Sequence, residues 1–187
     1  EKVGVEKRDI LVDRVENAKE SQEDAQEQFN SALEAFSAAV AFDGGELEDV
    51  YNRLNGQYED SVAASEEVSS RIDKVESVAE ALFDEWSEEL EKYENASLKR
   101  DSAAKLRETK RRYSSLMTAM RKAESKMPPV LSALQDNVLY LKHNLNASAI
   151  GALQGELSTI ENNVAQLIRQ MNSAIAESDA FISSMKN

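Results

Sequence analysis

The chain of 187 residues contains no cysteine, one histidine, two prolines and six glycines, and only 6% of its residues are aromatic. Without cysteine, disulfides and thiolate metal sites are excluded. Scarce proline and glycine, beside abundant Ala, Glu, Leu and Ser, favour long helices over sheet. No stretch approaches the ~20 apolar residues that a membrane-spanning helix needs.

Charge is distributed unevenly along the chain. The formal net charge of -13 argues against a nucleic-acid partner, which would require cationic side chains to displace counterions. Residues 1–95 contain 9 Lys and Arg against 27 Asp and Glu, a difference of -18. Residues 96–187 contain 13 against 8, a difference of +5. We expect the two halves to attract one another when folded, although a solvated face explains most such runs.

Apolar residues alternate at spacings of three and four, which keeps one stripe of a helix facing a partner. The first stripe has Ala at one heptad position four times and places Phe29 and Phe36 between these small residues. Three further stripes follow. The predicted helices cover approximately residues 5–41, 46–94, 98–145 and 148–186.

Pro128 and Pro129 lie inside the third stripe, between Met127 and Val130. The alternation passes through both positions without a change of phase, whereas a loop would normally reset it. We therefore predict one continuous helix with a kink at 128–129. A short irregular turn is the alternative, since the residue before a proline is biased away from helix.

Short connections make consecutive helices antiparallel. The sequence thus predicts a single all-α domain over residues 1–187, an elongated antiparallel four-helix bundle or coiled coil with up-down-up-down topology. When helix heights are aligned, the polar stripe residues Gln22, Ser61 and Ser65 fall level with Pro128. One hypothesis is a hydrogen-bonded hinge at mid-bundle; the other is that buried polar residues only set the register.

The same alignment leaves residues 83–109 projecting as a two-helix tip. Its descending helix is acidic and its ascending helix is basic, so cross-helix ion pairs would explain both runs. Trp86 and its apolar neighbours have one partner helix there. The tip is therefore either a surface for self-association or for a protein partner, or an ordinary two-helix seam. The apolar residues concerned are Phe83, Trp86, Leu90, Tyr93, Leu98 and Leu106.

Three connections are predicted. "FDGGE" combines glycines suited to positive φ with Asp43 and Glu46 as a capping pair, and its spacing does not fit a calcium loop. "NAS" occurs at 95–97 and 146–148. In each, we expect Asn to end one helix in the left-handed conformation and Ser to cap the next.

No catalytic, cofactor-binding or metal-binding residues are predicted. His143 is the single histidine and stands near a helix end, where its imidazole suits the helix dipole. Glu-x-x-His pairs, which inward-facing di-iron sites require, do not occur in the sequence. "GALQGEL" at 151–157 lacks the Lys-Ser/Thr of a phosphate loop. We predict that the protein is not an enzyme and needs no cofactor.

Five segments together resemble a bacterial family of uncharacterised proteins that carry a domain of unknown function and are often predicted to be lipoproteins. These segments are "KVGVEKRDILVDRVENAKESQ", "FDGGELEDVYNRLN", "EVSSRIDKVESVAEALFDEW", "MPPVLSALQDNVLYLKHNLNA" and "LQGELSTIENNVAQLIRQM". The resemblance implies export to the periplasmic side of the cell envelope. It also implies a lipid on a Cys upstream of Glu1, which would be the only membrane attachment.

Two functional hypotheses follow. The first is a non-enzymatic coiled-coil structural or protein-interaction module of the bacterial envelope, with a partner or a second copy bound near Trp86. The alternative is a membrane-surface or membrane-remodelling bundle, against which the acidic balance argues.

Overall fold

The computed structural model describes the backbone of residues 2–42 and 44–186 and the side chains from residue 5 onward. These residues form α1 (Lys2–Val40), α2 (Leu47–Leu90), α3 (Ala96–Ser125), α4 (Met127–His143) and α5 (Ala147–Lys186), with no strand among them. Only Lys126 separates α3 from α4, so the two segments form the third rod of a four-helix bundle. At ~1.5 Å per residue, α2 alone is about 66 Å long.

The four rods are arranged in a square and are antiparallel to their neighbours. α1 packs against α2 and α5, and the third rod packs against the same two helices. Between the described parts of α1 and the third rod there is no contact, because the two lie on the diagonal. The predicted up-down-up-down bundle is therefore the fold.

Heptad spacing determines the core. Every predicted stripe residue of α1, from Leu11 to Ala39, is buried. The repeated Ala positions let α2 approach closely, and α1 and α2 share the most extensive contact of any two helices. Two apolar residues just beyond helix ends are exposed, Tyr93 after α2 and Leu145 after α4.

The two prolines interrupt the helix of the third rod slightly before the predicted position. Neither Pro128 nor Pro129 has an N–H to donate, so the helix is interrupted at Lys126 rather than at 128–129. Lys126 N–H donates to the Ala123 carbonyl at 3.1 Å, and the Ser125 hydroxyl donates to the Lys122 carbonyl at 2.6 Å.

The phase of the stripe survives this interruption, as the sequence predicted. Met127 and Val130 are both fully buried on the far side of Lys126. Lys126 itself keeps right-handed helical angles, φ -89° and ψ -9°. The third rod is thus one core-facing unit with a single-residue turn in it.

The connections use caps that differ from those predicted. Asn95 and Asn146 themselves cap the following helices: the side-chain oxygens accept from the N–H groups of Leu98 and Ala149, at 3.0 and 3.2 Å. Among the described residues only Gly45 has a positive φ, at 104°, so neither Asn is left-handed. Asp43 lies outside the described residues, and the cap of α2 is Glu46, without a side-chain hydrogen bond.

Candidate functional site: the projecting tip

The α2–α3 hairpin projects beyond the other two helices, but its base is better covered than the sequence predicted. Lys7 of α1 forms an ion pair with Glu85. Ser183 and Ser184 of α5 line the same cleft as Trp86 and Lys105. The part without α1 or α5 beside it is therefore residues 87–104, which we call the tip, rather than 83–109.

At the base of the tip, aromatic side chains close the two-helix seam. Phe83 is buried and meets Tyr113 edge to face, with ring centroids 5.4 Å apart. Lys110 Nζ lies 5.9 Å from the centre of the Phe83 ring. Burial, reinforced by the carboxylates of Glu76 and Glu80, raises the pKa of Tyr113 to about 12.

Trp86 is part of this seam and not a bare surface residue. Its indole is half-buried, and Nε1 donates a hydrogen bond of 2.9 Å to the Ser102 hydroxyl on the facing helix. Leu106 is buried and Leu90 is half-buried beside it. Tyr93 and Leu98 remain exposed, 40% and 56%, at the turn.

The predicted cross-helix ion pairs of the tip are largely wrong. Lys99 and Glu91, 3.9 Å apart, are the single described pair that joins the two sides of the tip. Lys105 pairs with Asp101 in its own helix instead. Long side chains on adjacent helix faces point outward as well as toward each other, so opposite charge on two helices does not ensure contact.

Arg111 and Arg112 also remain within their own helix. Both form ion pairs with Glu108, at 2.6 and 3.0 Å. The hydrogen bond from Arg111 holds the pKa of Glu108 below its usual value. These two arginines therefore turn toward a carboxylate of α3 and not toward the acidic side of α2.

The attraction between the acidic and basic halves is instead concentrated on Arg121, which the sequence did not single out. Arg121 donates to Glu76 at 2.6 Å and Asp73 at 3.0 Å on α2, and to Glu124 at 3.1 Å on its own helix. Desolvation disfavours its charge, but these three hydrogen bonds prevail and raise the pKa of Arg121. The cluster fastens α2 to α3 below the tip.

A cleft lies where the tip meets the bundle, with a volume of about 430 Å³. Arg8, Lys105 and Arg112 surround it, with the indole of Trp86 at one wall. Glu108 also lines the cleft and is already paired with Arg112, so part of the positive charge is neutralised within the cleft.

The polar residues predicted at mid-bundle do not form one network. Gln22 is fully buried, yet within the described part of the chain its amide nitrogen and oxygen have no hydrogen-bond partner. Ser61 accepts a hydrogen bond of 3.3 Å from Gln28, while Ser65 is only half-buried. Gln22 cannot reach the carbonyls near Pro128, because α1 and the third rod are diagonal.

The opposite end of the rod carries a second exposed apolar group, which the sequence interpretation missed. Leu139, Tyr140 and Leu145 are 49%, 44% and 46% exposed near the end of α4. Leu139 and Tyr140 are apolar residues outside the heptad stripe, and that was the available signal. His143, the single histidine, is exposed in the last turn of the same helix.

Among the described residues, no group of three or more His, Cys, Asp or Glu side chains is placed to hold a metal ion. No helix in that part of the chain is both long and apolar enough to span a bilayer.

A family model described as a protein of unknown function (DUF2959) matches residues 1–185. No curated protein matches the chain.

Proposed function

The chain belongs to DUF2959, a family whose description assigns no activity, and we propose from the structure that it is a non-enzymatic helical spacer that contacts its partners through its two ends. One observation carries the proposal. Its large exposed apolar side chains lie toward the ends of the rod, while the middle of the rod exposes none among the described residues. They are Val5, Ile10, Tyr93 and Leu98 at or below the tip, and Leu139, Tyr140 and Leu145 at the other end.

Exposed apolar groups of this kind often mark contact sites. A rod with its contact groups near the ends, separated by tens of ångströms of packed helix, is suited to hold two partners apart. The heptad core supplies the stiffness, because Ala, Val, Leu and Phe side chains are buried along most of the length of α1.

The positions of the side chains with strongly shifted pKa values support a non-enzymatic role. An active site usually combines a cleft with a titratable group whose pKa is strongly shifted. The two largest described shifts belong to Arg121 and Tyr113. Both side chains serve contacts between α2 and α3 and not a substrate cleft.

We also propose that the protein acts at the periplasmic side of a bacterial envelope, held by a lipid upstream of Glu1. This rests on the family resemblance of the five segments given above. Metabolic labelling of the natural precursor with an alkyne fatty acid would test it. Absence of label on a precursor that is otherwise exported would refute the lipid anchor.

Site-specific photo-cross-linking tests the spacer role directly. A photoreactive amino acid replaces Tyr93 at the tip, Tyr140 at the opposite end or Ser70, an exposed residue at mid-rod, in cells that express the full chain. Tyr93 and Tyr140 are matched, since both are tyrosines with 40% and 44% exposure. We expect discrete cross-linked adducts from both tyrosine positions and none from Ser70. Adducts at Ser70 that equal those at the ends would contradict the proposal.

A further inference from the structure

We propose that the tip, together with the adjoining residues of the α2–α3 hairpin down to Asp84 and Arg112, binds a second copy of this chain, with the two hairpins side by side and antiparallel. The acidic side of α2 in each copy would lie against the basic side of α3 in the other. This inference rests on the proposed function and identifies the partner at one of its two ends.

The charges of the α2–α3 hairpin are equal and opposite. Residues 84–94 carry six acidic side chains and one basic, a difference of -5. Residues 98–112 carry seven basic and two acidic, a difference of +5. Two copies that exchange these faces would neutralise both at once, which a surface acidic or basic throughout could not do by itself.

Several charged side chains of the hairpin are exposed and form no ion pair among the described residues. Among the described ion pairs, none involves Asp84, Glu88 or Glu89 on α2, or Arg100 or Arg107 on α3. All five side chains are exposed. Had the hairpin satisfied its own charges, nothing would remain to recognise a partner.

Position along the hairpin favours the antiparallel arrangement. On average, the acidic residues at 84–94 lie closer to the turn at Asn95 than the basic residues, which begin at Lys99 and extend to Arg112. In an antiparallel pair, the region near the turn of one copy lies beside the region farther down the other. A twofold axis then repeats the same contact on both sides, as an isologous dimer requires.

Area and charge together predict a weak complex. A flank of two helices about 20 Å wide and roughly 30 Å long offers on the order of 600 Å² per partner. That is below the usual size of a stable interface, and exposed ion pairs each contribute little. Tyr93 and Leu98 add apolar area near the turn. We expect a dimer that forms at low ionic strength and dissociates as salt screens its charges.

Charge-swap variants of the full chain test this pairing. The acidic reversal is Asp84→Lys with Glu88→Lys, and the basic reversal is Arg100→Glu with Arg107→Glu. Two of the substitutions also suit the helix dipole, because position 88 lies in the last turn of α2 and position 100 lies near the start of α3. Circular dichroism and thermal melting confirm that each variant folds. The matched control, Glu66→Lys with Lys122→Glu, reverses exposed charges at mid-rod.

Sedimentation velocity at 20 mM and 500 mM salt gives the readout. We expect the wild type and the control to dimerise at low salt only, and each tip reversal alone to weaken dimerisation at least tenfold. In an equimolar mixture of the two reversals, the new lysines on α2 of one variant face the new glutamates on α3 of the other. The second contact pairs the native basic face with the native acidic face, so we expect heterodimers to form. In the fourfold variant, which carries both reversals, the faces are exchanged but complementary again, and we expect dimerisation to return.

Three outcomes would overturn the inference. One is a wild-type chain that stays monomeric at low salt up to several hundred micromolar; another is a dimer that the tip reversals leave unchanged. The third is sedimentation with anionic vesicles that needs the tip arginines and not the tip carboxylates, which would make a membrane the partner. If the chain is monomeric while Tyr93 still cross-links to a different protein, only this inference fails and the spacer role stands.

Discussion

Replacing Gln22 by Met should stabilise the protein. Gln22 is fully buried on α1, and neither atom of its amide has a described partner. A buried polar group without a hydrogen bond costs about 1–3 kcal/mol. Methionine follows the same unbranched path without the amide, so the substitution removes this cost with little change of shape.

The expected gain is about 2 kcal/mol in the free energy of unfolding. For a chain of this size, this corresponds to a rise of about 4–8 °C in melting temperature. Urea titration followed by far-UV circular dichroism measures it, with an unchanged m-value as the sign that the two states keep their compactness.

Gln28→Met is the matched control, since it makes the same substitution six residues farther along α1. The Gln28 amide donates to Gln57 Oε1 at 2.9 Å and to the Ser61 hydroxyl at 3.3 Å. Losing these bonds should cost about 0.5–1.5 kcal/mol. If Gln22→Met is as destabilising as Gln28→Met, the amide of Gln22 is satisfied and the reasoning is refuted.

Gln22→Glu provides an independent check by pH. Burial should raise the pKa of the new carboxyl above its unfolded value of about 4.3. Below this pH the carboxyl is protonated in both states and costs little. As pH rises, the unfolded state ionises first, so the variant should lose stability relative to wild type between pH 4 and 7. A difference independent of pH would show that position 22 is hydrated.

Three further predictions concern the α2–α3 hairpin and the third rod. Trp86→Phe and Ser102→Ala should each lower the free energy of unfolding by about 0.5–1.5 kcal/mol. The double variant should lose less than the sum of the two losses, because each substitution removes the same hydrogen bond. Additive losses in urea titration would contradict this. Replacing Pro128 and Pro129 together by Ala restores two N–H donors. The hydrogen exchange of backbone amides on either side of Lys126 should then slow at least tenfold. Unchanged exchange would mean that the prolines do not cause the helix interruption at Lys126. The raised pKa of Tyr113 contributes stability that is present below pH 10 and lost as pH rises toward about 12. Tyr113→Phe should therefore lose less stability than the wild type over this pH range. Equal losses of stability would show that other groups cause the pH dependence.

The fold was predictable because one physical rule governs nearly all of it. Every α1 residue that heptad spacing placed in the stripe is buried, although the core also includes Ala35 and Val40, and the phase continues through Met127 and Val130. Short turns then determined the order of the rods. Propensity located the break in the third rod only approximately, since the missing N–H groups of two prolines act on carbonyls one turn earlier and the helix is interrupted at Lys126.

The candidate site was less predictable, because it depends on relative heights and on side-chain directions. The estimate of a tip from 83 to 109 assumed rods aligned by residue counting, whereas the pairing of Lys7 with Glu85 shows α1 reaching farther along the hairpin. The heptad pattern did not predict the exposure of Leu139 and Tyr140, because it identifies only the apolar residues within the stripe.

The pairing of charged side chains between α2 and α3 is the feature that the sequence predicts least well. The acidic and basic halves do meet, at Arg121, where three carboxylates surround one guanidinium. About twenty residues nearer the turn, the same two helices carry similar charge, yet Lys99 and Glu91 form the single described ion pair between them. A heptad pattern determines which residues face inward, but it leaves the outer positions of adjacent helices free to turn toward each other or away. Charge that turns away costs little in solvent and stays available for another molecule, which is why the tip, and not the Arg121 cluster, is the better candidate for recognition.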